Sequence, residues 1–399
     1  MERSMRNEEL KSKAIKVSRG LADFLCQLRS LHTDFNPSAG SLLFSVEHNG
    51  LEFPASNWNY AFAAMGLFAA SRYFDEPYYE KSAMQFMGYL KTLQIFDPYH
   101  KEHYGAIREY SPQTPWCYTR DALSAAWGFL ETYRYTGDEE YLDRAKLWAN
   151  WFFKKGLDDE KYPFFGVQFD KDFSHRTPHI QNEMQGSFQG GCLNFLYQLS
   201  CQTGESRWTG EEFIKIADIF VDHIQQPDGF FVSVDRKTKK VSDDALYRQL
   251  HRANDDLGTL GLLCAYRVTG NKKYLASIEK FMNAVFEAQR EDGHFEDSVA
   301  PVPVVLNTLF EAKDLINVET MKADSISRAL NALFSRQCDG EVNPRMRGGL
   351  VEMESAMQYV TVRSSSYALI YLLKAFGEVQ DYLTVKPGVR KTEISDNRK

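Results

Sequence analysis

The chain predicts an all-α fold, an (α/α)6 toroid of helical hairpins, and three observations carry that reading. A Thr-Gly phrase recurs as "TGDEEYL" from Thr136, "TGESRWT" from Thr203 and "TGNKKYL" from Thr269, at intervals of 67 and 66 residues, the mark of a repeated supersecondary unit. Each phrase is flanked by stretches with apolar residues at three-and-four spacing, as in helices with one buried face. No Pro- or Ser-rich linker interrupts the series, so residues 1–399 read as one domain.

The elements follow in order. Residues 1–40 read as an N-terminal helix, charged and without the apolar core of a signal peptide. Hairpins are expected over residues 58–93, 121–153, 185–224, 255–288 and 302–334. The sixth pairs "VRSSSYALIYLLKAFGEV" with the amino-terminal helix or a short terminal segment, and residues 384–399 read as a disordered tail. Glycine just past a helix adopts the left-handed conformation at little cost, so Gly137, Gly204 and Gly270 are expected at positive φ. The first hairpin has Asp-Glu-Pro in place of Thr-Gly. First helices are apolar and rich in small residues, second helices carry Lys, Asp and Glu; this predicts an inner and an outer ring. An open solenoid of stacked hairpins shares the same periodicity.

Composition limits the function. Lys and Arg number 47 against 54 Asp and Glu, a net charge of −7 without a long basic run, so a nucleic-acid partner is not expected. No stretch of about 18 apolar residues occurs, so no membrane span is expected and the default location is the cytoplasm. The cysteines at 26, 117, 192, 201, 264 and 338 include no CxxC pair and read as reduced core fillers, with no metal site. No cofactor is expected.

If the hairpins close into a ring, the Thr-Gly turns lie at one end and the longer connections at the other. These connections are rich in chemistry: "DPYHKEHYGAIREYSPQTPWCYTRD", "DFSHRTPHIQNEMQG", "DALYRQLHRANDD", "DGHFEDSVAP" and "NPRMRGGLVEMESAMQYVTVRSSS". Sharing one mouth, they would converge on one cleft.

The segments "NDDLGTLGLLCAYRVTGNKKYL" and "YTRDALSAAWGFLETYRYTGDEEYL" resemble the six-hairpin toroids of carbohydrate-active enzymes, a group including unsaturated glucuronyl hydrolases, β-L-arabinofuranosidases, sugar 2-epimerases and polysaccharide lyases. The resemblance covers residues 58–373 and implies a small oligosaccharide substrate. A second resemblance is to terpene cyclases and prenyltransferases, whose repeats end in Gln-x-x-Asp-Gly-x-Trp. Here "QQPDGFF" and "QREDGHF" have Phe for Trp, and the Asp-x-Asp-Asp motif of the cyclising enzymes is absent.

Cleaving a glycosidic bond takes a proton donor and a base or nucleophile, two carboxyl groups roughly 5 to 10 Å apart. Asp121, in "YTRD", and Asp255 or Asp256, in "HRANDD", are the expected pair; each directly precedes an inner helix. Asn254 and Asp255 equally suit capping of that helix. His251 and Tyr359 are candidate bases for the alternative of a uronate lyase or a sugar epimerase. Trp58, Trp116, Tyr118, Glu183, Gln185, Arg252 and Asn254 are candidate substrate contacts, with Trp116 able to stack on a sugar face. In the last loop, Arg347 and Arg363, with Glu354 between them, suggest a clamp for an anionic sugar such as a uronate. Pairing of these arginines with Glu352 and Glu354 competes with that reading. The remaining alternatives are a non-catalytic helical-repeat binding protein and a terpene cyclase-like enzyme.

Overall fold

A computed structural model of the chain describes residues 2–29, 41–169, 183–184, 190–241, 257–353 and 358–379. Its helices alternate between two rings. The outer ring holds α1 (Glu2–Gln27), α3 (Pro77–Thr92), α5 (Glu139–Trp151), α7 (Glu211–Ile219), α9 (Lys273–Glu287) and α11 (Ser325–Ser335). The inner ring holds α2 (Asn57–Phe74), α4 (Thr119–Thr136), α6 (Gly190–Thr203), α8 (Gly258–Thr269), α10 (Pro301–Ala312) and α12 (Val362–Gly377). Each inner helix packs on the next and α12 packs back on α2, so the ring closes; a solenoid would leave α2 and α12 apart. α1 supplies the outer partner of α12, joining the two ends of the chain as one hairpin.

The two rings differ as their compositions require. Along α2 every residue from Asn57 to Ser71 except Trp58 is buried, because neighbours cover it on all sides. Small residues permit that crowding: a Cβ added to Gly66 would stand 3.1 Å from the Leu369 side chain of α12. Outer α3 buries only Tyr79, Ser82, Ala83, Phe86, Met87 and Leu90, one amphipathic stripe. Tyr367 closes the ring, with its ring centroid 4.8 Å from Phe62 and 6.3 Å from Trp58.

The Thr-Gly turn uses both of its residues. Gly137, Gly204 and Gly270 have φ of 73°, 71° and 69° and donate their N–H groups to carbonyls four residues back. In all three copies the threonine hydroxyl donates to the carbonyl four residues back and accepts the N–H two residues ahead: Thr136 from Asp138, Thr203 from Glu205, Thr269 from Asn271. Thus the threonine ties off the inner helix and orients the start of the outer one.

At the opposite end a second device recurs. Gln94, Gln225, Gln289 and Gln337, at the ends of outer helices, each donate through Nε2 to a glycine carbonyl of their own loop (Gly105, Gly229, Gly293, Gly348). The same Nε2 donates to a carbonyl of the next outer helix: Arg144, Ser277, Ser325 and Val17. These glycines have φ between 87° and 94–95°, and a Cβ on Gly105 or Gly229 would lie 2.8 or 2.7 Å from a backbone oxygen of that helix. The Gln-x-x-Asp-Gly segments that resemble terpene cyclase repeats are therefore two of the four such clasps between outer helices among the described residues.

Short strands, which helical periodicity does not signal, line the mouth. β1 (Leu43–Glu47) pairs antiparallel with β2 (Glu52–Pro54) and with β7 (Tyr359–Thr361), in the register Ser45 to Thr361 and Glu47 to Tyr359. β3 (Trp116–Tyr118) pairs with β4 (Gly166–Gln168), and β5 (Glu183–Met184) with β6 (Val234–Asp235). β3 runs directly into α4 and β7 into α12, so these strands aim the first turns of two inner helices. Cys26, Cys117, Cys192 and Cys264 are buried free thiols, and Cys201 and Cys338 are half-buried. No described helix is long and apolar enough to cross a membrane.

Candidate active site

The segment between α3 and α4 reverses at Ser111 to Thr114, where the Ser111 N–H donates to the Thr114 hydroxyl and the Thr114 N–H to the Ser111 carbonyl. This reversal lays Glu109 beside β3. Its N–H donates to the Trp116 carbonyl (3.1 Å), its carbonyl accepts the Asn57 N–H (2.8 Å), and its Oε2 accepts the Tyr118 N–H (2.7 Å). Glu109 is thereby fixed, fully buried, against Asp121 in the first turn of α4.

Two carboxyl groups in one dry site cannot both ionise at ordinary cost. Burial pushes the Glu109 pKa well above the carboxylate range; the Asp121 charge and a hydrogen bond to Asp121 push it further, against the Tyr118 N–H and Arg120. Burial and the neighbouring Asp121 thus both favour the protonated form of Glu109. Arg120 holds Asp121 from the other side, Nε to Oδ1 at 2.9 Å, while its guanidinium lies 5.4 Å from the Tyr118 ring and 5.1 Å from Phe165. Both carboxyls are buried, and of the two only Asp121, 7% exposed, retains any contact with solvent.

An aromatic wall adjoins the pair. Trp116 meets Tyr118 at 4.8 Å and Tyr110 at 5.8 Å, both edge to face. Tyr110, whose phenol is made less acidic by burial and then by Glu109 and Asp121, also lines a cleft of about 450 Å³ with Phe44, Glu47, Phe53 and Tyr359. Trp58 stands behind that cleft, 6.4 Å from Phe44.

The last loop holds a second buried carboxyl. Glu352 accepts hydrogen bonds from the hydroxyls of Ser298 (2.7 Å), Thr361 (2.6 Å) and Ser364, and pairs with Arg363. Burial works against its charge, yet Arg363 and the three hydroxyls outweigh it and lower its pKa to about 2. The phenol of Tyr359 is made less acidic by burial, then by Glu352 and Glu47.

Thus Trp116, Tyr118 and Asp121 come together, as do Tyr359 and Arg363 around Glu352, and Tyr110 links the two groups. Arg347 is elsewhere: exposed, it donates through Nε to the Asp339 carbonyl in the turn beside α1. Glu183 pairs with Asp235 across β5 and β6. His251, Arg252, Asn254, Asp255, Asp256, Gln185 and Glu354 lie outside the described residues. Among the described residues no three His, Cys, Asp or Glu side chains group as a metal site requires. Glu109 carried no signal of its own in the sequence; only the reversal at Ser111 gives it Asp121 as a neighbour.

No protein-family model and no curated protein matches the chain. Solved structures do. It is similar to cellobiose 2-epimerase from Bacillus thermoamylovorans B4167, with TM-score 0.67 and 13% identity over 92% of this chain and 100% of that one. An unsaturated glucuronyl hydrolase specific for heparin matches with TM-score 0.64 and 15% identity, over 92% and 98%. A glycoside hydrolase family 76 mannosidase from Bacteroides thetaiotaomicron VPI-5482 matches with TM-score 0.63 and 14% identity, over 93% and 99%. At these identities the likeness establishes the fold alone, an (α/α)6 toroid.

Proposed function

We propose that the protein is a carbohydrate-active enzyme that cleaves a glycosidic bond by carboxyl acid–base chemistry. One observation carries the reading: the buried carboxyl pair Glu109 and Asp121 at the head of an inner helix, with Glu109 next in the chain to Tyr110 of the aromatic cleft. The names of the structural neighbours, an epimerase and two glycoside hydrolases, agree with such a substrate.

In this mechanism Asp121 touches the substrate and Glu109 is a positioning residue that supplies its proton. Asp121 protonates the glycosidic oxygen, the bond from that oxygen to the anomeric carbon breaks, and water adds at the carbon. Water surrenders its proton to a second carboxylate, which we assign to Asp255 or Asp256. The pair is in contact, so it acts as one donor, and the opposing group has to come from another loop. The lyase or epimerase alternative needs a basic tyrosine or histidine; burial and two acidic neighbours hold the proton on Tyr359 and so oppose that role. The expected uronate clamp would have to draw on Arg363, which Glu352 already engages.

Product analysis on a panel of neutral and uronic-acid oligosaccharides tests the proposal. New reducing ends without a rise in ultraviolet absorbance are expected, with most turnover lost and binding retained in Asp121→Asn. Full activity in that variant, or unsaturated products, would overturn the assignment.

A further inference from the structure

We infer that the cleft between β1, β7 and Tyr110 is a subsite for a neutral, hydroxyl-rich sugar ring, and that Glu47 makes it reject uronates. The inference rests on the glycosidase reading and adds the class of sugar. The volume of about 450 Å³ falls in the range of small-molecule sites. Phe44, Phe53, Tyr110 and Tyr359 give it aromatic walls; Phe53 is 44% exposed and Tyr110 41%, so both present ring surface to a ligand. Such surfaces suit the carbon–hydrogen faces of a pyranose, while the polar edge of the sugar needs hydrogen-bond partners.

Glu47 supplies the acceptor. Its Oε2 is buried and has no hydrogen-bond partner, a costly state for a carboxylate oxygen that donors from a ligand would relieve. Its backbone is firmly placed: the N–H donates to the Leu51 carbonyl (2.9 Å), the carbonyl accepts from Asn343 Nδ2 (3.0 Å), and Tyr359 stands opposite in the β1–β7 register. Vicinal sugar hydroxyls are donors of the kind this oxygen lacks.

Charge then selects among sugars. No Lys, Arg or His is among the described residues lining the cleft. The arginines on its flanks are engaged by carboxylates: Arg345 by Glu52, Arg363 by Glu352 and Arg120 by Asp121. A uronate entering here would set its carboxylate beside Glu47 without a countercharge, and like charges in a partly dry site repel strongly.

Calorimetric titration of the Asp121→Asn protein with neutral disaccharides and the same disaccharides carrying a uronic acid tests this. Neutral members should bind about tenfold or more tightly than their uronate counterparts, the order of one charge-assisted contact. Glu47→Gln should bring the two classes to within roughly threefold by weakening the first and strengthening the second. Phe53→Ala, at an exposed position that does not endanger folding, should weaken both equally. Uronates binding as tightly as neutral sugars, an unchanged ratio in Glu47→Gln, or no sugar binding at all would overturn the inference. Selective binding by a protein that turns over no glycoside would instead retain the subsite and remove the glycosidase reading.

Discussion

Glu109 and Glu352 are both buried carboxyls at the mouth of one ring, yet their pKa values are displaced in opposite directions. Burial raises the pKa of each, so desolvation is not what separates them. The difference lies in partners. Glu352 faces Arg363 and three hydroxyls, enough to replace lost water, and stays ionised as a tie between the approach to α10, β7 and the first turn of α12. Glu109 receives one N–H and faces a second carboxyl, while the nearest cation is spent on Asp121. A saturated carboxylate holds structure together; an under-partnered one keeps a mobile proton, which is what acid catalysis uses.

The largest effect should come from the pair that keeps its proton. Asp121→Asn is expected to lower kcat about 10²- to 10⁴-fold, the range of a positioned general acid, and, because it leaves Arg120 without its counter-ion, to lower the melting temperature as well, while the folded protein still binds substrate. Glu109→Gln should lower kcat less and shift the limb of the pH–rate profile that reports the acid. A profile left in place would mean that the two carboxyls do not share a proton.

Glu352→Gln should act in the other direction, on stability. It leaves Arg363 partly buried without its counter-ion, and a loss of about 3 kcal/mol in urea unfolding is expected. A loss below about 1 kcal/mol would show that the tie is ornamental.

The pH dependence of stability distinguishes the two directly. The folded pKa of Glu352, about 2, lies below its ordinary 4.5, so its contribution is complete above about pH 4.5 and disappears as pH falls towards 2. Glu109 is raised above 4.5, so its contribution is complete below about pH 4.5 and is lost as pH rises through the folded value. Removing the latter loss by Glu109→Gln should flatten the stability profile as pH rises above about 4.5, by at most about 1.4 kcal/mol per pH unit. Unfolding midpoints of both proteins across that range provide the measurement, and parallel curves would refute the assignment.

The smallest effect is a control at the other end of the ring. Gly270 has φ 69° and open space around its Cα, so Gly270→Val should cost about 1 kcal/mol from backbone strain alone and leave kcat untouched. If turnover fell in step with stability there, the loss in Asp121→Asn would no longer point to chemistry.

Much of the fold was legible because it repeats. Thr136, Thr203 and Thr269 mark three hairpins outright, and apolar spacing bounds the helices to within a few residues. The strands were not legible, since β3 and β7 are three residues each and take their pairing from distant partners, Gly166–Gln168 and Leu43–Glu47. Nor were the Gln–Gly clasps seen as such: spacing from Gln94 to Gly105 and from Gln225 to Gly229 differs, and what they share is the neighbouring helix they grip.

For the site the division is similar. Asp121, Trp116, Tyr118, Tyr359 and Arg363 stood out by residue type and by position before inner helices. The partnership of each did not, because electrostatic character depends on what lies within a few ångströms across the chain. By itself, then, the sequence determined the hairpin period, the turns that end the inner helices and the sorting of helices into two rings, since these follow from local backbone preference and side-chain polarity. That Glu109 is buried beside Asp121 while Arg363 goes to Glu352 follows from the three-dimensional fold, because a carboxyl's charge is set by water excluded and donors supplied from segments far apart in the chain.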